Sequence, residues 1–234
     1  MPGSLNVTAT VAFPLLSRHA ARGDRQAVAQ DLTLGVRLVL LAAVPCAVAL
    51  AVLPGPIARL LYEHGQFTAE DVWRAARMIA VYGSAVWAYC ALPVLVRGFY
   101  AMDDRMTPLR VAVSVVALNL ALDLTLIWPL AEVGLAASTA VSAMVQMAAL
   151  ALLFSKRHVQ LEWRKLAVTA LRAVVAAAVM GVVCFAALRW IPEREGTWNA
   201  LMRVGVPMVV GAAAYVEILA IMGRSEWRDL RGRE

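Results

Sequence analysis

Asn119 and Asp123 stand four residues apart, so on a helix an amide and a carboxyl share one face. Asp123 is the one ionisable residue between Val111 and Ala131. An ionised Asp inside a membrane span costs about 2.5–3.5 kcal/mol, so it faces a cavity or a partner. Two readings of the pair stay open. It lines a polar path, with Asp123 as a coupling-ion or proton site, or it glues the bundle by an interhelical hydrogen bond. Ser138, Ser142 and Gln146 recur at helical spacing in the next apolar run. Arg172 and Glu217 are each the sole charge in a later run, and Arg97 and Arg105 flank a short loop. Beyond these the sequence offers little for catalysis. It has no Ser/His/Asp set, no Gly-rich phosphate loop and no close carboxylate pair in a soluble setting, so no enzyme is expected. Cys46, Cys90 and Cys184 sit in apolar runs without a CxxC, and His19, His64 and His158 are far apart, so neither a metal nor a cofactor is expected.

The elements that must position these residues follow from composition. Of 234 residues, 62% are hydrophobic and 16% charged, against roughly 45–50% and 25% in soluble domains. Charge-free runs cover Leu38–Ala58, Met78–Val96 and Val133–Ser155. Val111–Ala131, Leu166–Leu188 and Val204–Gly223 carry one ionisable residue each, and the six runs together hold 127 residues. Each is near the ~20 residues that cross a hydrocarbon layer as a helix. The fold class is therefore all-α, a polytopic transmembrane helix bundle, and soluble or disordered classes are excluded. The net charge of +6 gathers at the ends of spans with no interleaved aromatics, so nucleic acid is not expected as a partner.

Six full spans are predicted at Leu34–Leu53, Val72–Phe99, Pro108–Leu130, Val133–Phe154, Leu166–Leu188 and Ala200–Met222. Met1–Ser17 is uncharged but short and only moderately apolar, and reads as the second half of a further span. Pro54-Gly55-Pro56 is a breaker, Thr68-x-x-Asp71 a capping box, and Thr107-Pro108 an N-cap followed by proline at the first helical position. Lys and Arg in the loops set orientation. One side, including the first loop and the C-terminal tail, carries fourteen basic residues. The other carries three, or five with Arg74 and Arg77. The first loop and the tail are therefore expected in the cytoplasm. Six of the seven tryptophans fall at span ends, as an aromatic belt requires.

Two loop motifs go beyond composition. The first is Phe13-Pro14-Leu15-Leu16-Ser17-Arg18, followed by Gly23-Asp24 and by Leu34-Gly35-Val36-Arg37-Leu38-Val39-Leu40. The second is Arg97-Gly98-Phe99-Tyr100-Ala101-Met102-Asp103-Asp104-Arg105-Met106-Thr107-Pro108. Between them lies Pro56-Ile57-x-x-Leu60-Leu61-Tyr62-x-x-Gly65-x-Phe67-Thr68, and after them Gly134-Leu135-Ala136-x-Ser138-Thr139. In this order and spacing, over nearly the whole chain, the set resembles the MurJ/MviN lipid II flippase family of the MOP exporter superfamily.

The resemblance implies a multi-pass protein of the bacterial cytoplasmic (inner) membrane, C-terminus inside. Its substrate would be the undecaprenyl-pyrophosphate-linked peptidoglycan precursor, lipid II, moved outward by alternating access. Members have fourteen spans in two lobes and a final helix pair, and this chain looks like the later part only. On that footing residues 1–155 are a partial second transport lobe, 156–223 the C-terminal helix pair and 224–234 a charged cytoplasmic tail. The family's pyrophosphate-binding arginines come mostly from earlier segments, and nothing here corresponds to them. The implied partners are lipid II, membrane lipids and the missing N-terminal lobe. Asn119, Asp123, Ser138, Ser142 and Gln146 would line the cavity, Arg97 and Arg105 the cytoplasmic mouth, and Arg172 and Glu217 a groove for the lipid tail. Two other expectations compete: a flippase for another polyprenyl-linked saccharide, and a non-transporting membrane scaffold or remnant of a truncated gene.

Overall fold

The computed structural model describes residues 24–62, 67–193 and 196–222. The expected half-span Met1–Ser17, the tail 224–234, His19 and His64 lie outside them. Among the described residues there are eight helices and no strand: α1 Arg25–Val52, α2 Pro54–Tyr62, α3 Ala69–Gly83, α4 Val86–Ala101, α5 Met106–Leu130, α6 Glu132–Arg157, α7 Trp163–Trp190 and α8 Thr197–Met222. Six stretches are long and apolar enough to cross a membrane, namely α1, α3 with α4, α5, α6, α7 and α8. They overlap the six predicted spans, although α1 begins at Arg25, nine residues ahead of the predicted start at Leu34.

Three local features explain the boundaries. The prolines of Pro54-Gly55-Pro56 end α1 but also begin α2, because the first turn of a helix has no internal partner for the N–H groups that proline lacks. The Thr68 box forms: Asp71 N–H donates to Thr68 Oγ1 (3.3 Å) and Thr68 N–H to Asp71 Oδ2 (3.0 Å). The predicted single span from Val72 to Phe99 is interrupted. Ser84 caps the end of α3 and its hydroxyl donates to the Val81 carbonyl (2.7 Å), so α4 begins anew at Val86.

The start of α5 corrects one expectation. Thr107 is not the N-cap; the helix begins at Met106, and the Asp104 carboxylate accepts the Thr107 N–H (3.0 Å). The cause lies upstream. α4 ends with Asp103 at φ 57 and the Asp104 N–H bonded to the Phe99 carbonyl (3.0 Å), a left-handed helix end that presents Asp104 to the next helix.

The chain divides into two compact units. The first comprises the residues up to Ala43 together with Ala85–Ala170. Small residues let its helices approach closely: Ala88, Ala91, Ala136, Ala140 and Ala143 are buried around Leu95, Phe99, Leu150 and Phe154. α5 and α6 form a tight hairpin turning at Ala131, which has φ 49. Gly134 is required there, since a Cβ would collide with the Leu126 carbonyl. α5 otherwise leaves a long apolar flank uncovered by the described residues, with Leu109, Val113, Val116, Leu120, Leu124 and Ile127 all exposed.

The second unit comprises Val44–Ser84 and the residues from Leu171 onward. Ala58 of α2 is buried against Val72 and Ala76 of α3. Gly211 of α8 meets Cys184 and Met180 of α7 so closely that a Cβ would strike the Cys184 sulfur. Glu193 joins Arg59 of α2 to Arg203 of α8, the latter at 2.8 Å.

Candidate functional site

The hairpin turn at Ala131 sets the register of α6 against α5, and it brings together residues that are distant in sequence. Ser138 Oγ is shared as a donor between Asp123 Oδ1 and the Leu135 carbonyl (2.9 Å). Asn119 Nδ2 reaches Ser138 Oγ at 3.5 Å, a long contact. Asn119, Asp123 and Ser138 therefore make one polar seam in the first unit, and Ser138 is fully buried within it. Ser142 lies one helical turn beyond Ser138 on the same face. It is 5% exposed, and its hydroxyl has no hydrogen-bond partner among the described residues. Gln146, a further turn along, is half-buried.

Two contacts that sequence reasoning missed border the seam. Thr139 Oγ1 donates to the Leu135 carbonyl (2.8 Å), and the Tyr89 hydroxyl of α4 donates to the Thr139 carbonyl (3.1 Å). Hydroxyls satisfied by backbone carbonyls leave no signature in spacing, and only the fold shows them. The Ser142 hydroxyl, one turn from the Asp123–Ser138 bond, is buried without a partner among the described residues.

The remaining predicted residues lie elsewhere. Arg97 is half-buried on α4, and Arg105 is exposed just before α5. Arg172 is half-buried on α7, and Glu217 is exposed on α8, both in the second unit. Among the described residues no cluster of His, Cys, Asp or Glu could hold a metal ion.

The cytoplasm-predicted end of the first unit holds a second polar cluster. The Thr107 hydroxyl donates to Asp104 Oδ2 (2.7 Å), and His158 Nε2 stands 3.1 Å from the same oxygen. Arg157 Nη1 donates to Thr107 Oγ1 (2.8 Å). Phe99 meets Phe154 edge-on with centroids 5.2 Å apart and His158 at 5.5 Å, so the ring of His158 is clamped from both helices. Burial works to raise the Asp104 pKa. The hydrogen bonds from the Thr107 hydroxyl and N–H, together with His158, outweigh it and hold the carboxyl below its ordinary value.

Six membrane-length helical stretches among the described residues, with a carboxyl-centred seam between two of them, define a polytopic helical membrane protein. The model of the family described as "Lipid II flippase MurJ" matches residues 5–203, and the chain belongs to that family. It is 31% identical over 222 residues to the probable lipid II flippase MurJ of Vibrio cholerae, covering 92% of this chain and 41% of that protein. It is 27% identical over 217 residues to the lipid II flippase MurJ of Burkholderia cenocepacia, covering 92% and 42%. A solved structure of lipid II flippase MurJ in an inward closed conformation superposes with a TM-score of 0.74 at 22% identity. It covers 94% of this chain and 44% of that one, and the likeness is one of fold. The chain thus spans about two fifths of the length of the relatives it matches.

Proposed function

We propose that this chain is the C-terminal part of a lipid II flippase, working by alternating access once joined to the segments its longer relatives carry ahead of it. The observation that carries the proposal, beyond family membership, is the seam: Asp123 sits within an apolar span and is bonded to Ser138, and Ser142, one helical turn from Ser138, has no hydrogen-bond partner among the described residues. A carboxyl within a span is costly unless it faces a cavity or a partner, and flipping by an Asp123 variant separates those two roles. On this reading Asn119, Asp123, Ser138, Ser142 and Gln146 line the substrate path. Arg97 and Arg105 draw the pyrophosphate to the cytoplasmic mouth, and Arg172 and Glu217 border the tail groove. Residues 1–155 supply a partial transport lobe and 156–223 a helix pair. The host membrane is the bacterial cytoplasmic membrane, and lipid II, bulk lipid and the N-terminal lobe are the partners.

The test is Asp123→Ala in the completed flippase. Outward movement of lipid II, assayed by its accessibility to an external enzyme, should fall about tenfold or more if a charge-assisted interaction is lost from the path. The amount of protein in the membrane should not change. Undiminished flipping would reassign Asp123 to helix packing. Complementation of a strain depleted of its lipid II flippase separates this substrate from other polyprenyl-linked saccharides.

A further inference from the structure

Arg157 is the one arginine of the α6–α7 loop region that the structure fixes through a chain of partners. Its Nη1 donates to Thr107 Oγ1 at 2.8 Å, Thr107 donates to Asp104 at 2.7 Å, and His158 closes the far side of Asp104 at 3.1 Å. Thr107 is 3% exposed, and the Asp104 and His158 side chains are 18% and 15% exposed, so the relay is mostly shielded from solvent. Arg157 itself is exposed. Its hydrogen bond goes to a neutral hydroxyl, so no acid in direct contact offsets its charge among the described residues, and its other guanidinium N–H groups remain for a ligand. Lys156, at the end of α6, and Arg105, just before α5, are both exposed, so with Arg157 three cations face the two carboxylates Asp103 and Asp104. A guanidinium held by one edge is already oriented, which is what bidentate recognition of a phosphate requires and what a mobile lysine does not offer.

We infer that Arg157 is a phosphate-binding residue for a lipid-linked pyrophosphate at this end of the bundle, with Thr107, Asp104 and His158 as its positioning residues. The inference rests on the flippase reading above. The ordinary basic residue at a membrane surface serves topology by charge alone, and Arg157→Lys separates the two roles because it keeps the charge and loses the fork.

The experiment uses the purified chain in phosphatidylcholine nanodiscs, with a polyprenyl pyrophosphate and, separately, inorganic pyrophosphate as probes. Arg157→Lys should weaken both by about tenfold, the loss of one charge-assisted pair. Thr107→Val should weaken them in the same direction, while Thr107→Ser keeps the hydroxyl and the affinity. Arg164→Lys, at an exposed arginine in the first turn of α7, should change nothing. Equal behaviour of the Arg157 and Arg164 variants, with unaltered melting, overturns the inference in favour of topology. Loss of phosphatidylglycerol retention by Arg157→Lys, in discs containing that lipid, overturns it in favour of a bulk-lipid headgroup site. No binding of either pyrophosphate by the wild-type chain overturns it as well, and leaves the flippase reading to stand or fall on Asp123.

Discussion

Asp104 shows how one side chain can serve three helices. It ends the α4 turn, caps α5 through Thr107, and meets His158 at the end of α6. Because these bonds favour the ionised form, its folded pKa lies below the ordinary 3.8. The sign follows: a depressed carboxyl contributes stability that is complete above 3.8 and is lost as pH falls through the folded value. Asp104→Asn should therefore melt lower than wild type at neutral pH and show a flatter acid limb, measured by thermal unfolding in detergent from pH 7 downward. Little of this cluster was legible in the sequence. Thr107-Pro108 gives a strong local start signal, whereas the competing cap at Asp104 follows from the left-handed end of α4, and the Arg157 and His158 contacts come from some fifty residues away. The seam was half legible. Spacing alone puts Asn119 and Asp123 on one face, but their meeting with Ser138 depends on the hairpin turn at Ala131, whose φ of 49 no sequence pattern announces.

At the level of elements, α3 is the piece whose local signals and structure agree most fully. Its start rests on the reciprocal bonds of Thr68 and Asp71, reinforced by Arg74 on Glu70 at 2.7 Å. Thr68→Ala should cost about 1 kcal/mol, the usual value of an N-cap. Chemical denaturation should report that loss, and Thr68→Ser should restore most of it. The opposite end of α3 was hidden. Apolar residues run on through Gly83, Ser84 and Ala85, so hydropathy sees one span where the backbone makes two helices. A Cβ on Gly83 would crowd Leu50, and the Ser84 hydroxyl returns to the Val81 carbonyl. These are short-range competitions that an average over some twenty residues cannot register.

For the whole molecule, the six crossings were readable because lipid imposes one crude rule, length without charge, and the chain obeys it over more than half its residues. Which side each end faces depends on the bias of Lys and Arg between loops, and that is open to direct test. A single cysteine at Lys156, in a chain whose native cysteines have been replaced, should resist an impermeant thiol reagent in intact cells and react once the cells are opened. One at Trp198 should react from outside. Labelling of the Lys156 site from outside would invert the whole arrangement. Trp128, Trp190 and Trp198 are 88%, 87% and 73% exposed and stand near helix ends, where indole favours the boundary between headgroups and hydrocarbon. The bare side of α5 carries a different consequence. From Leu109 to Ile127 its aliphatic side chains meet few fixed neighbours among the described residues. Exchange of Val116 for leucine gives little for the fold to notice. A lysine there would meet few fixed neighbours among the described residues and would still carry the cost of a charge within an apolar span.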